Sequence, residues 1–277
     1  MKNVSLYIPV YNAAGCLARV LEAALGQTRS FAQIIVVDDG SDDDSAKIAS
    51  RYGVGVFSHK GNQGIAAARN TGISCCGTDF IASIDADCVI DPGWLEACLS
   101  SFDDPAVGGV GGRLEESSKT LTGRWRARHL VQHFGDSRKD VSFLSGSNTV
   151  FRRKVLYDAG LYNTVFMRNH EDTDLSERVV AQGWTLRYVP EARARHCKRD
   201  TVYSVMRSCW GFRHRSYPRS FGVLLFDCGR EGLRSVVMML RTVFSGALSL
   251  LLIDSLYFCM QSYFSIKAFC LKSANFK

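Results

Sequence analysis

Short apolar runs alternate with helix-periodic stretches over the first hundred residues of the chain. Val4–Val10 and Phe80–Ile84 are typical of buried strands, whereas Leu17, Leu21 and Leu25 recur every four residues, as on one face of a helix. Alternating strands and helices indicate βαβ units, in which the strands of one sheet run parallel. The pattern therefore predicts an α/β fold in which helices flank a central sheet.

The same criteria place further elements along the chain. Strands are predicted at 34–37 and 54–57, and helices at 45–51, from 65 onward, at 124–134 and at 175–182. Beyond residue 105 the pattern loosens into a glycine-rich stretch at 108–112, for which no element is predicted. The second half of the chain is thus harder to interpret than the first.

Acidic residues follow two of the predicted strands. Asp38 and Asp39 come after the run at 34–37, and Asp85 and Asp87 come after Phe80–Ile84. Open α/β sheets bind ligands outside the carboxyl ends of their strands, so a site is predicted there. A hard cation such as Mg²⁺ or Mn²⁺ binds carboxylate and diphosphate oxygens together, although either acidic pair alone is also ordinary turn chemistry.

A glycine-bracketed turn at 61–64 precedes the helix predicted from residue 65. Glycine permits close backbone approach, and the N–H groups at a helix N-terminus favour anions, so this turn could bind a phosphate. Arg69, just over one turn into the helix, could reach a diphosphate or could pair with a sheet-end aspartate. Both alternatives remain open at this stage.

A third acidic group opens the helix predicted at 175–182. Asp172 precedes Leu175 and Val179 by three and seven residues, which places it at the top of the apolar face. It could accept the proton of a sugar hydroxyl, or it could only cap the helix. His196 is a lone histidine after a basic, strand-like segment, and such a residue is more often structural than a metal ligand.

Taken in order, these features resemble the inverting GT-A glycosyltransferases of family 2 over about residues 3–200. The resemblance rests on six segments: 5–12, 35–41, 62–70, 84–87, 146–153 and 171–184. No Gln-x-x-Arg-Trp motif follows Asp172, which favours transfer of a single sugar over processive synthesis. The resemblance implies a GT-A fold, with a nucleotide-binding, Rossmann-like mixed sheet flanked by helices and an apolar helical tail at the C-terminal end.

The resemblance also implies roles for individual residues. Asp172 would be the catalytic base, while Asp87 and His196 would hold Mg²⁺ or Mn²⁺. Pro9, Tyr11 and Asp39 would line the nucleobase pocket, Asp85 would face the ribose or sugar, and Arg69 would touch the diphosphate. The complete set of implied substrate-binding residues is Pro9, Tyr11, Asn12, Asp39, Asn62, Gly64, Arg69, Asp85, Ala86, Asn148 and Glu171.

The implied reaction moves one sugar from a nucleoside-diphosphate sugar, with a UDP-sugar favoured, to an acceptor hydroxyl. A lipid-linked or cell-surface glycan precursor is the expected acceptor. Two alternatives are a degenerate nucleotide-sugar binding module without turnover and a sugar-phosphate nucleotidyltransferase. The latter would carry a glycine-rich loop with Arg and Lys after the first strand, where this chain has residues 11–14, Tyr-Asn-Ala-Ala.

Charge divides the chain unevenly. Residues 1–120 contain 9 Lys and Arg against 15 Asp and Glu, whereas residues 121–277 contain 25 against 12. A basic half that also becomes apolar suits an anionic membrane leaflet better than nucleic acid, which is not expected as a partner. Ten scattered cysteines and no apolar leader at the start indicate a reduced cytosolic compartment.

The C-terminal region is the most apolar part of the chain. Between residues 236 and 266 only Arg241 and Asp254 are charged, and the longest uncharged run, 242–253, falls short of the roughly 20 residues that span a bilayer. Helices in the membrane interface or a re-entrant hairpin are favoured, with a true span as the alternative. We expect a catalytic domain at 1–219 and, at 220–277, a membrane-associated region on the cytoplasmic face of the inner or plasma membrane.

Overall fold

The computed structural model describes residues 2–166, 169–197, 200–213 and 221–274. The chain divides into two compact units. The first comprises Met1–Ser117 and Gln132–Lys198, and the second comprises Ser118–Val131 and Arg199–Lys277. The predicted assignment of catalysis to 1–219 and of membrane association to 220–277 stays a prediction.

A mixed sheet forms the centre of the first unit. Within the described residues it has nine strands, in the order β3-β2-β1-β4-β8-β6-β9-β5, with β7 beside β9. The strands are β1 Val4–Val10, β2 Gln33–Asp38, β3 Gly55–Ser58, β4 Phe80–Ile84, β5 Cys88–Ile90, β6 Val107–Glu116, β7 Lys139–Val141, β8 Asn148–Arg152 and β9 Thr185–His196. Strands β1 to β4 run parallel, and β8 runs antiparallel to both β4 and β6. The predicted α/β fold is confirmed.

Helices cover both faces of this sheet. They are α1 Ala14–Leu25, α2 Ser45–Ser50, α3 Ile65–Cys75, α4 Trp94–Leu99, α6 Arg153–Asp158 and α7 Glu171–Ala181. Ile8 of β1 belongs to the apolar cluster that contains Leu17 and Leu21 of α1. Its neighbour Tyr7 belongs to the cluster on the other face, with Leu175 of α7. Successive strand residues point to opposite faces, so a strand covered on both faces is buried at every position, as β1 is.

The glycine-rich stretch lies within β6, where no strand was predicted. A Cβ on Gly109 would lie 2.4 Å from the Phe151 ring, and one on Gly112 would lie 2.2 Å from the backbone carbonyl oxygen of Ala192. Neighbouring groups therefore fill the space that side chains would need. Glycine is required for packing here, although its flexibility usually signals a loop.

The second unit is helical. Its helices are α5 Leu121–His129, α8 Val202–Arg213, α9 Phe221–Phe244 and α10 Leu251–Ala274. The fully buried Trp125 and Tyr257 lie in its core with Met206 and Met238. Among the helices of the described residues, none combines the length and the hydropathy needed to cross a bilayer.

Candidate active site

The loops after β1 and β2 are hydrogen-bonded to each other. Asn12 adopts a positive φ of 52°, its N–H donates to Ser41 Oγ at 2.9 Å, and its side-chain oxygen accepts the Asp42 N–H at 2.8 Å. Pro9 is buried within β1, whereas Tyr11 is 48% exposed. Of Pro9 and Tyr11, the two predicted nucleobase contacts in and directly after β1, Tyr11 is thus the one that is open to a ligand.

The carboxylate of Asp39 is buried and fully engaged. It accepts the N–H groups of Gln63 at 2.9 Å and Gly64 at 2.8 Å, and it lies 2.6 Å from His59 Nδ1. The other nitrogen of His59 lies 2.9 Å from Thr71 Oγ1. An aspartate of the protein thus binds the two N–H groups that directly precede α3. The predicted ligand contacts of Asp39 and Gly64 stay predictions.

Asn62 and Gly40 show how closely this turn approaches β2. Gly40 has a φ of 73°, and a Cβ on it would lie 2.6 Å from the backbone of Gly61. Asn62, which follows Gly61 in the turn, is exposed. The turn is therefore held against the end of β2 by backbone contact, with the Asn62 side chain accessible to a ligand.

Arg69 is buried behind the acidic strand end, with 2% of its surface exposed. Its Nη1 donates to Ser83 Oγ at 2.7 Å and to the Gly146 carbonyl oxygen at 2.8 Å, and its Nη2 donates to Asp85 Oδ1 at 2.8 Å. The structure thus realises the alternative in which Arg69 pairs with a sheet-end aspartate. Its contact with a diphosphate stays a prediction.

Asp85 and Asp87 remain accessible at the end of β4, with 31% and 26% of their side-chain surfaces exposed, and Ala86 between them is buried. Burial raises the pKa of the Asp85 carboxyl, Arg69 opposes this rise, and the negative charges of Asp87 and Asp172 add to it. Three carboxylates thus influence one another at this edge. A cation bound among them would relieve their repulsion.

His196 joins this edge from β9. Because β5 and β9 pair with Cys88 opposite His196, the imidazole comes to lie beside Asp87 from 109 residues away. Its Nε2 is 3.0 Å from Asp87 Oδ2, and its Nδ1 is 3.3 Å from Glu116 Oε2. His196 and Asp87, the two predicted metal ligands, are therefore neighbours.

Asp85, Asp87 and Cys88 each offer one ligand atom, and these atoms lie within 4.8 Å of one another. Burial and the adjacent Asp87 raise the pKa of the Cys88 thiol, which disfavours its thiolate form. A protonated, soft sulfur is a poor ligand for a hard cation. The two carboxylates, with His196 beside them, are the better donor set and suit Mg²⁺ or Mn²⁺.

Asp172 reaches the same edge from the first turn of α7. Its Oδ2 accepts the Gly146 N–H at 3.0 Å, and the carbonyl oxygen of the same glycine accepts from Arg69. A Cβ on Gly146 would lie 2.7 Å from Arg69 Nη2, so a larger residue here would displace the guanidinium. One residue therefore links the predicted base to the arginine that holds Asp85.

Glu171 is buried beside Asp172, with 5% of its surface exposed. Burial raises the pKa of its carboxyl to about 7, Arg69 opposes this rise, and the charge of Asp172 adds to it. Its Oε1 lies 3.6 Å from Arg69 Nε. A buried carboxyl that changes charge near neutral pH thus lies next to the predicted base.

This raised pKa predicts a pH dependence of stability. The native state holds the Glu171 proton up to about pH 7, whereas the unfolded chain releases it near pH 4.5. The free energy of unfolding should therefore fall as pH rises through this interval and then level off. Glu171→Gln lacks the titrating group, so its stability relative to wild type should increase from pH 5 to pH 8 in urea unfolding. An unchanged difference would contradict the raised pKa.

Asn148 lies inside the sheet rather than on its open edge. It is the first residue of β8, where it pairs with Ile84 of β4, and it is 2% exposed. A Cβ on Gly112 would lie 2.4 Å from its Oδ1. Its predicted contact with the donor stays a prediction, and the structure places the side chain against β6.

Four residues that were not predicted take part in this site. They are His59, Ser83, Glu116 and Gly146. His59 follows β3 directly, so its place at the carboxyl end of a parallel strand was a usable signal. Glu116 reaches the site through strand pairing, for which no local pattern exists. Gly146 begins the matched segment 146–153, but no role was predicted for it.

A mixed sheet with the acidic triplet Asp85-Ala86-Asp87 at the end of a parallel strand agrees with the GT-A fold that the resemblance implied. The family model of "Glycosyl transferase family 2" matches residues 5–160. A pre-mycofactocin glycosyltransferase of Mycobacterium tuberculosis is 33% identical over 214 residues, which cover 73% of this chain and 44% of that protein. The chain belongs to glycosyl transferase family 2.

A second relative is the succinoglycan biosynthesis protein ExoU of Rhizobium meliloti. It is 32% identical over 203 residues, which cover 65% of this chain and 58% of that protein. The chain thus spans about half the length of these two curated relatives.

Solved structures of low sequence identity share the fold. The mannosyltransferase PcManGT of Pyrobaculum calidifontis, in complex with GDP-Man and Mn²⁺, has a TM-score of 0.65 at 14% identity and covers 95% of this chain and 87% of that one. S. aureus TarS 1-349, in complex with UDP-GlcNAc, has a TM-score of 0.59 at 16% identity and covers 75% of this chain and 65% of that one. At such identities the likeness concerns the fold alone.

Proposed function

We propose that this chain is an inverting, metal-dependent glycosyltransferase that moves one sugar from a nucleoside-diphosphate sugar to an acceptor hydroxyl. One observation carries the proposal. Asp85 and Asp87 at the end of β4 lie close enough to Asp172 of α7 for its charge to affect Asp85, and Gly146 links Asp172 to Arg69. A donor-binding edge and a base are thereby brought to one place.

Asp172 would act as the general base. In a single displacement its carboxylate takes the proton of the acceptor hydroxyl while that oxygen forms a bond to the anomeric carbon. The bond between the anomeric carbon and the diphosphate oxygen breaks, and the leaving nucleoside diphosphate keeps the electron pair. Attack opposite the leaving group inverts the anomeric configuration.

Asp85, Asp87 and His196 are the residues that would hold the divalent cation. When bound, the cation supplies electrostatic stabilisation of the negative charge that develops on the leaving diphosphate. Arg69 would contribute chiefly by holding Asp85 in place through its bond at 2.8 Å. Its burial makes it a positioning group in this proposal.

We infer a UDP-sugar as the donor and a lipid-linked or cell-surface glycan precursor as the acceptor. The donor inference is supported by the solved complex of TarS with UDP-GlcNAc, while the GDP-Man complex of PcManGT keeps a guanine nucleotide as the alternative. The acceptor inference is supported by the relative named for succinoglycan biosynthesis. The absent Gln-x-x-Arg-Trp motif supports transfer of one sugar at a time.

Two other functions fit the chain less well. A binding module without turnover would not need Asp172 beside the acidic triplet, yet the base, the triplet and Arg69 are connected through Gly146. A sugar-phosphate nucleotidyltransferase would need a basic, glycine-rich loop after β1, where the chain places Tyr11 and Asn12. Catalytic sugar transfer therefore remains the proposal.

A donor screen tests this function. The melting temperature of the full chain should rise with UDP and Mn²⁺ together more than with either alone, because only the native state binds them. Slow release of nucleoside diphosphate from the matching nucleotide sugar, dependent on Mn²⁺ and abolished by EDTA, is the expected activity. If no uridine or guanosine diphosphate sugar is bound or hydrolysed, the proposed function is wrong.

A further inference from the structure

Helix α9 of the second unit presents an apolar stripe to solvent. At 100° per residue the stripe occupies an arc of about 120° on the helix. Its members are Leu225, Phe226, Leu233, Val236, Val237, Leu240, Val243 and Phe244, which are 39% to 87% exposed. The opposite face carries the buried residues Leu224, Ser235, Met238 and Thr242. Helix α9 is thus apolar on the outside as well as on the side that packs into its unit.

Arginines border this stripe. Arg230, Arg234 and Arg241 fall within about 40° of one another, next to the apolar arc. The side chains of Arg230 and Arg234 are 38% and 40% exposed, and Arg241 is exposed. An apolar stripe flanked by arginines is typical of a helix that lies in a membrane interface.

Helix α10 repeats the arrangement. Leu252, Leu256, Tyr263 and Ile266 are 40% to 65% exposed and share one face of the helix. Lys267 is exposed beside them, with its Nζ 5.8 Å from the centre of the Tyr263 ring. The two longest helices of the unit therefore each show an apolar stripe with a neighbouring cation.

The acidic residues of this unit all point inward. Ser118–Val131 and Arg199–Lys277 contain 15 Lys and Arg but only four acidic residues. Asp254 accepts from Trp125 Nε1 at 2.7 Å and from Thr242, and it is fully buried. Glu231 accepts from Tyr257, and the side chains of the remaining two, Asp200 and Asp227, are 4% and 12% exposed.

We propose that the outer faces of α9 and α10 dock this chain onto an anionic lipid bilayer, with the apolar stripes among the acyl chains and the arginines at the headgroups. The carboxylates that such a surface would repel are buried, and two of them are paired with arginines of α9, Asp227 with Arg230 and Glu231 with Arg234. The apolar side chains, Arg241 and the exposed parts of Arg230 and Arg234 are left outside. Phosphate headgroups next to hydrocarbon match this combination. The cytoplasmic leaflet of the inner or plasma membrane has that chemistry.

A nucleic acid fits these faces less well. It offers phosphates to the arginines but no hydrocarbon to cover Leu240 or the 87% exposed Phe244. Apolar area of this extent on a soluble surface is costly unless something covers it. The apolar stripes therefore favour a lipid surface over any purely charged partner.

The test is sedimentation of the full chain with lipid vesicles. Wild type should bind vesicles of phosphatidylcholine mixed with phosphatidylglycerol more tightly than phosphatidylcholine alone, and added salt should weaken the binding. Leu240→Ser combined with Phe244→Ser should weaken it by about tenfold or more, because both side chains lose apolar area. The matched control is Leu25→Ser combined with Val165→Ser in the first unit. Leu25 and Val165 are 50% and 82% exposed, close to the 52% and 87% of Leu240 and Phe244.

The proposal holds if the α9 variant loses vesicle binding while the control keeps it, and if all three proteins have the same melting temperature. Any one of the following results would overturn it. These are no binding of wild type to anionic vesicles, equal binding of both variants, or self-association abolished by the α9 variant without vesicle binding. Retention of duplex DNA in place of vesicles would also refute it. Donor hydrolysis is a separate readout, so failure here leaves the proposed transfer reaction untouched.

Discussion

Asp172→Asn is expected to lower the rate of donor hydrolysis and sugar transfer by about 100-fold to 10,000-fold, the usual contribution of a general base. Asparagine has nearly the same shape and keeps an oxygen that can accept the Gly146 N–H. It cannot take up the proton of the attacking hydroxyl or water. The measurement is kcat with the nucleotide sugar found by the donor screen, at saturating Mn²⁺.

Two controls separate this effect from a loss of structure. Glu177→Gln neutralises an exposed carboxylate of the same helix, α7, and should leave kcat within about twofold of wild type, as surface substitutions usually do. The nucleotide-induced rise in melting temperature should be the same in Asp172→Asn and wild type. A variant that binds nucleotide normally and still turns over at the wild-type rate would remove Asp172 from the mechanism.

The predicted fold agrees best with the structure where strands are buried on both faces. The predicted bounds of β1 and β4 match those of the structure, because each is a largely apolar run that is buried at every position and is followed by polar residues. Strand β6 was missed since the glycines at 108–112 signal a loop locally. Their cause is the bulk of Phe151 and other neighbours, which is a property of the folded packing and not of the segment.

The candidate site, too, could be predicted from the sequence only in part. The acids at the ends of β2 and β4 could be predicted, because parallel strands end at one edge of a sheet. Which partner each acid binds could not be decided, since for Arg69 both a diphosphate and a sheet-end aspartate were open as partners. Asp39 is satisfied by His59 and by the turn at 61–64, and Arg69 is satisfied by Asp85, and both outcomes depend on distances that only the folded chain defines.

Asp87→Asn is expected to abolish the dependence of donor binding on Mn²⁺ and to lower the hydrolysis rate by about 100-fold or more, since a bound cation contributes several kcal/mol. Asparagine keeps an oxygen near His196 Nε2, which lies 3.0 Å from Asp87 Oδ2, so the fold at this edge should persist. The measurement compares UDP-induced melting shifts with Mn²⁺ and with EDTA. In wild type the Mn²⁺ shift should be larger, and in Asp87→Asn the two shifts should coincide.

The control is Asp158→Asn, which removes an exposed carboxylate from α6 and should behave like wild type. A full Mn²⁺ response in Asp87→Asn would mean that Asp87 does not hold the cation.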